Sequence, residues 1–189
     1  LSCPEEVSIL KTAGYELSIT ADIHMYAYNN EAYDYLKKCG IDKTTVPVEL
    51  NRRELIDRSI TGEELVVYGR IPVMVSANCI LKTENVCQKS RSGHRVYLKD
   101  RKGAGLFVSC NCTECTNVYY NSEVLSIADE TELFSHIRPS SVRFSFTDEA
   151  PEDITRILET YISGRNDNGS TDKKLIDRYT KGHINRGID

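Results

Sequence analysis

Residues 1–78 alternate short apolar runs with stretches whose apolar positions recur every three or four residues, the pattern of strands followed by helices. Ser2 is placed to cap a first helix that carries Pro4, Glu5 and Glu6 in its opening turn, where proline and carboxylates are favoured, and Gly14 closes it. A strand is expected from about Glu16 to Tyr26, with Leu17, Ile19, Ile23 and Met25 apolar and Asp22 and His24 toward its end. Asn29 or Asn30 then opens a helix with Ala32, Tyr35, Leu36 and Cys39 on one face, closed by Gly40. On that stripe Cys39 reads as a packed thiol. Thr45 to Leu50 reads as a short buried strand, and Asn51 with Glu54 has the spacing of a capping box for the next helix. A third strand signal runs through Leu65–Tyr68 and resumes at Ile71–Val75.

Strand, helix, strand, helix, strand at this spacing predicts parallel βα units. Such folds gather ligands at the C-terminal ends of their strands, which makes Asp22, His24, Glu49 and Arg70 candidates. Any one of them alone is more simply a solvated or salt-bridged loop residue; recurrence on successive strands gives the set its weight.

After Cys79 the period changes. Arg95–Leu98 and Leu106–Val108 flank Asp100-Arg101-Lys102-Gly103, which predicts a β-hairpin with a polar turn. Val118–Tyr120 is another short strand, and Asp129 with Glu132 suggests a capped helix reaching Ile137. Val142–Thr147 alternates as a half-buried strand does, and Pro151 opens an amphipathic helix through Ile154, Ile157, Leu158, Tyr161 and Ile162. Gly164–Ser170 reads as a loop. The tail from Tyr179 to Gly187 lacks either periodicity and is a frayed end or a loop closing over a site.

The expected organisation is therefore βα units of a partial barrel over 1–78, a cysteine-rich β insertion over 79–122, and a return to the α/β body with a closing tail over 123–189. Four such strands are too few for an eight-stranded barrel of about 250 residues. The chain reads as the C-terminal part of a TIM-like (β/α) barrel with a small cysteine-bearing hairpin insertion. It opens at Leu1 without a methionine, which is read as a fragment. Unpaired sheet edges would call for the missing N-terminal half of the barrel, or a second copy of the chain, as partner.

Composition narrows the function classes. With 40% hydrophobic and 28% charged residues the chain is ordinary for a soluble globular protein. A net charge of -4 gives no global attraction to nucleic acid or anionic membrane, leaving only a local basic patch such as Lys99, Arg101 and Lys102, which meets RNA or simply solvent. No apolar run approaches the roughly 18 residues of a membrane span, so no membrane partner is expected. Seven cysteines, an odd number, suit ligands in a reducing cytoplasm better than a fully paired secreted framework. Cys79, Cys87, Cys110, Cys112 and Cys115 are the candidate metal ligands, since thiolates are soft donors for iron–sulfur clusters or zinc; a disulfide-stapled loop is the other reading. Neither a His-Glu-x-x-His helix nor a Gly-x-Ser-x-Gly elbow occurs, and no spacing pairs His24 or His183 with a nucleophile.

Several segments carry a resemblance. Glu64–Met74 leading to Asn78-Cys79, Leu98–Gly103, Asn117 through Asn121-Ser122, Tyr179–His183 with Arg186-Gly187, and Val46–Leu50 resemble, in order, the collagenase-like peptidase family U-thirty-two. The resemblance implies the C-terminal part of a TIM-like barrel. Some members of that family are described as collagen-degrading proteases. Others are oxygen-independent hydroxylation proteins acting on transfer RNA, ribosomal RNA or a quinone precursor, with a four-iron four-sulfur cluster on four cysteines and prephenate linked to several as oxygen donor. Carried onto this chain, Cys79 matches the second cysteine of the hallmark segment and Pro72 stands in place of the first. Cys87 with one or more of Cys110, Cys112 and Cys115 would complete the ligand set. Arg70 and Arg186 are then candidates for binding an anionic donor, with Asp22 beside the substrate, and His24, Glu49 and His183 for moving a proton. The expected activity is oxygen-independent hydroxylation of RNA or a small aromatic substrate. The alternatives are collagenase-like proteolysis and a zinc-stabilised RNA-binding module.

Overall fold

The computed structural model describes residues 1–87, 93–163 and 179–186. The protein is mixed α/β and forms two compact units, the first made of Leu1–Tyr68 with the chain from Ser126 onward, the second of Gly69–Leu125.

In the first unit α1 (Glu5–Thr12) starts at Pro4 without a side-chain cap. Ser2 does not cap it as expected. Instead the Glu6 carboxylate accepts hydrogen bonds from the Ser2 and Cys3 N–H groups, satisfying donors just ahead of the helix from inside its first turn. Val7 packs with Ile19, Ala21, Ala27, Leu36 and Ile41 in one cluster of buried side chains. The strand expected over Glu16–Tyr26 shrinks to β1 (Thr20–Ala21), because the chain turns into a short 3-10 helix at Ile23–Met25 and Tyr26 adopts φ 48. Helix α2 (Asn30–Lys38) is capped by Asn29, whose Oδ1 accepts the Ala32 N–H.

β2 (Lys43–Thr44) runs parallel to β1 and lies earlier than the strand expected at Thr45–Leu50. Pro47 has no N–H to give a ladder, and the Leu50 N–H closes a turn onto the Pro47 carbonyl. Asn51 and Glu54 form the expected capping box of α3 (Arg52–Arg58). Thr45 bridges in parallel to Glu64, the first residue of β3 (Glu64–Gly69). Parallel strands joined by helices are thus present, as the pattern predicted, while the described residues contain no closed barrel.

β3 sits inside a four-stranded sheet in the order β10 (Tyr179–Thr180), β8 (Val124–Ser126), β3, β9 (Ser141–Ser145). Leu65, Val66, Val67 and Tyr68 are all buried, as in a strand covered on both faces. Helices α5 (Thr131–Ile137) and α6 (Pro151–Ser163) add Leu133, Ile137 and Ile157 to the interior. The Tyr161 hydroxyl donates to the Val67 carbonyl and accepts the Ile127 N–H, and burial pushes its pKa up to about 12.

β4 (Pro72–Ser76), expected to prolong β3 in the α/β body, belongs to the second unit. Gly69, at φ 137, takes a conformation closed to most side chains and lets the chain leave the β3 direction. The second unit is an antiparallel sheet in the order β4, β7 (Thr116–Tyr120), β6 (Gly105–Asn111), β5 (His94–Lys99). It takes in the expected hairpin: Asp100 Oδ1 accepts from the N–H groups of Lys102 and Ala104 and folds the turn. Helix α4 (Ile80–Thr83) follows directly on Cys79. The Gly164–Ser170 loop and Gly187 lie outside the described residues. No helix among the described residues is long and apolar enough to cross a membrane.

Candidate functional sites

All seven cysteines are free. Within the second unit the sheet register draws together thiols that are distant in sequence. Cys110 on β6 pairs with Asn117 on β7, and Asn117 pairs on its other side with Ser76 on β4. The Asn117 amide donates to the Asn78 carbonyl at 2.9 Å, fixing the residue before Cys79 against the same point. Cys79 and Cys110 are both buried. Burial foremost, then the neighbouring Cys79 and Cys112 thiols, raises the Cys110 thiol.

Cys112 and Cys115 occupy the loop between β6 and β7, folded by Asn111, whose Oδ1 accepts from the Thr113 and Glu114 N–H groups. Cys115 holds φ 57, a place where glycine is the usual occupant. Lys82, on α4, gathers the rest: its ammonium is raised first by a hydrogen bond to Cys115 and the charge there, and further, against desolvation, by Cys79 and Cys87. Charge on Cys79, Cys87 and Cys115 thus acts on Lys82, and charge on Cys79 and Cys112 acts on Cys110. The thiols are neighbours rather than a closed cage, since among the described residues no three His, Cys, Asp or Glu side chains converge tightly enough to hold a metal ion.

Three residues here have no role assigned by the sequence. Lys82 is one. His94 opens β5 directly opposite Cys110, and a Cβ on the preceding Gly93 would stand 3.2 Å from the Cys110 carbonyl, so that strand end is pressed onto the cysteine. Asn117 is fully enclosed, and its Oδ1 has no donor among the described residues. A buried acceptor without a partner calls for a further group beside it. The Asn-x-x-x-Asn-Ser pattern was noticed in the sequence, but nothing local signals that its first asparagine faces thiols. Arg70 directs Nη1 to the carbonyls of Asn121 and Ser122, tying β4's entry to β7's exit. Lys99, Arg101 and Lys102 are exposed on the hairpin turn.

In the first unit, the strand ends hold a charged network organised by a residue the sequence did not single out. Arg143 on β9 donates to Asp22, to Glu64 through Nε at 2.6 Å, and to the Thr45 hydroxyl at 2.9 Å. One guanidinium thus ties the exits of β1 and β2 to the start of β3. Burial works to raise Asp22, but the Arg143 hydrogen bond, the Ile23 N–H and the charges of Arg143 and His24 outweigh it and hold the carboxyl below the usual range. His24 Nε2 lies 4.0 Å from Asp22 Oδ2. Burial first, and then the charge of Glu49, raises the Tyr28 hydroxyl. Asp22, His24 and, through Tyr28, Glu49 thus belong to one neighbourhood.

Deeper in, Arg58 and Glu63 form a buried pair at 2.8 Å, with the Thr44 hydroxyl donating to the same carboxylate. Over residues 179–186 the tail packs onto the first unit. Lys181 pairs with Asp129 at 2.9 Å and with Glu130 at 2.6 Å, Ile184 is buried, and its carbonyl accepts the Arg52 N–H at the start of α3. This anchors half-buried His183 and leaves Arg186 exposed.

Compared with known proteins, the chain matches no family model, no curated protein and no solved structure.

Proposed function

We propose that the protein is a U-thirty-two-type, oxygen-independent hydroxylation protein acting on RNA or a small aromatic substrate, and that its cysteines hold a four-iron four-sulfur cluster. The observation that carries this reading is the register that sets buried Cys110 opposite Asn117, whose amide holds the Asn78 carbonyl next to buried Cys79. The donor set fits a soft metal, and a cysteine retained at a left-handed position fits a thiol needed there. Cys79, Cys87 and Cys110 with Cys112 or Cys115 would be the ligands, drawn in from their present spacing. A cluster supplies one-electron transfer at a potential set by burial and by hydrogen bonds to sulfur.

This chain's own groups do the rest. Lys82 offers an N–H to sulfur, and Asn117 holds the Cys79 backbone in place. Arg143 fixes Asp22 beside His24, which with Glu49 and His183 is assigned to proton movement. Exposed Arg186 is the candidate fork for an anionic donor, whereas Nη1 of Arg70 is committed to backbone carbonyls. The parallel pair β1–β2 and the parallel bridge from Thr45 to Glu64 support a TIM-like barrel completed by an N-terminal half or a second copy of the chain.

The test is metal and acid-labile sulfide analysis of protein purified without oxygen. Brown protein with absorbance near roughly 400 nm and about four irons per chain, lost in Cys110→Ser, is the expected result. Colourless protein with one tightly held zinc, or metal content unchanged by Cys79→Ser and Cys110→Ser, sinks it.

A further inference from the structure

Between β1 and α2 the chain places three aromatic rings in a row on the surface. His24 meets Tyr26 edge-on at 6.3 Å between centroids, and Tyr26 lies nearly parallel to Tyr28, at 6.0 Å and 9° between planes. Tyr26 is 52% and Tyr28 42% exposed, although large aromatic side chains ordinarily contribute their area to an interior. Tyr26 also sits at φ 48, ψ 45, a left-handed conformation unfavourable for a bulky residue. Its exposed ring gains little burial in return, so packing does not explain why a tyrosine is kept there.

The segment is held from three sides. Asp22 is gripped by Arg143, Ala27 is buried between the two tyrosines, and Asn29 caps α2. The rings therefore project from a fixed backbone, which lowers the entropy lost when something stacks on them. Two carboxylates lie close by: Asp22, whose Oδ1 takes Arg143 and whose Oδ2 stands 4.0 Å from His24, and Glu49, whose charge acts on Tyr28.

We infer that the Tyr26–Tyr28 shelf is a binding site for an unpaired nucleobase carrying an exocyclic amino group, with the ring stacked on Tyr26 and the amino edge turned to Glu49 or Asp22. Aromatic platforms accept the π-face of any base, and carboxylates accept from amino edges while being repelled by carbonyl ones. The inference rests on the RNA reading proposed above, since it shares Asp22, His24 and Glu49 with the groups assigned to proton movement. The site lies in the first unit and requires no metal, so its binding is tested apart from the cluster.

The test is titration of the full chain with guanosine and, separately, with an unstructured five-nucleotide guanosine-containing RNA, following the tyrosine ring resonances. Saturable shifts of Tyr26 and Tyr28 are expected in at least one titration. Response to guanosine alone identifies a free nucleoside as occupant, and response to the strand alone identifies an unpaired base within RNA. Tyr26→Ala should weaken binding roughly tenfold to a hundredfold, the loss of one base-stacking partner, while Tyr26→Phe retains it. Tyr26→Gly guards against misfolding, because glycine accepts φ 48 freely; it should be at least as stable as the native chain and still lose binding. Uridine should bind more weakly than guanosine, with the gap narrowing in Glu49→Gln. Absence of a saturable shift with either ligand, or native affinity in Tyr26→Gly, overturns the inference, and equal affinity for uridine overturns the role of the carboxylates.

Discussion

The two units enclose different kinds of residue. In the first, β3 buries Leu65 to Tyr68 consecutively, with Leu133 and Ile137 from α5 also buried, and charged groups are taken in only as partners, as Arg58 with Glu63. In the second, β5 alternates partly covered and exposed positions, and the enclosed places on β6 and β7 go to Phe107, Val108, Cys110 and Asn117. There a thiol and an amide stand where an ordinary sheet would carry valine or leucine. Its edge strand β4 shows Val73, Met74 and Val75 to the outside. The first unit has a continuous apolar interior, whereas the second shares its most protected positions between apolar side chains and a thiol and an amide.

Core truncation gives the largest contrast. Leu133→Ala should destabilise the first unit by about 2–5 kcal/mol, and Val108→Ala the second by about 2 kcal/mol, measured by denaturant-dependent hydrogen exchange resolved by unit. A larger loss at Val108 would mean that the second unit also rests on hydrophobic packing.

Next is the charged network. Arg143→Met should cost about 1–3 kcal/mol at neutral pH by leaving Asp22 and Glu64 without their donor. Because the folded-state pKa of Asp22 is depressed, its contribution is complete above the unfolded aspartate value and lost as pH falls through the lower folded one. Native stability should therefore drop below about pH 4, and the variant should flatten that limb. An unchanged acid limb would show that other carboxylates dominate it.

The smallest effect is local. Asp100→Ala removes the acceptor of two turn N–H groups and should cost about 0.5–1.5 kcal/mol in the second unit alone. If first-unit exchange slows or quickens as well, the two units are not independent.

Much of this was legible along the chain. The Asn29 cap, the Asn51–Glu54 box, the Pro151 helix and the Asp100 hairpin turn are contacts between residues a few positions apart, so their spacing announces them. The five cysteines stand out by density, and the register sets Cys110 opposite Asn117, which holds the residue before Cys79. The Tyr26 turn was misread as strand, because alternating apolar residues describe a strand until one residue adopts φ 48. The exit of β4 was missed because an apolar run looks alike in either sheet.

The sequence by itself determined the longer helices, where the hairpin folds and which thiols are available, since those depend on propensity, caps and composition within a turn or two. Only the tertiary structure decided that Arg143 would join three strand ends, that Asn117 and Lys82 would stand among the cysteines, and that two tyrosines would remain on the surface. Those placements depend on pairings between segments tens of residues apart, and spacing along one chain carries no record of which segments will lie side by side.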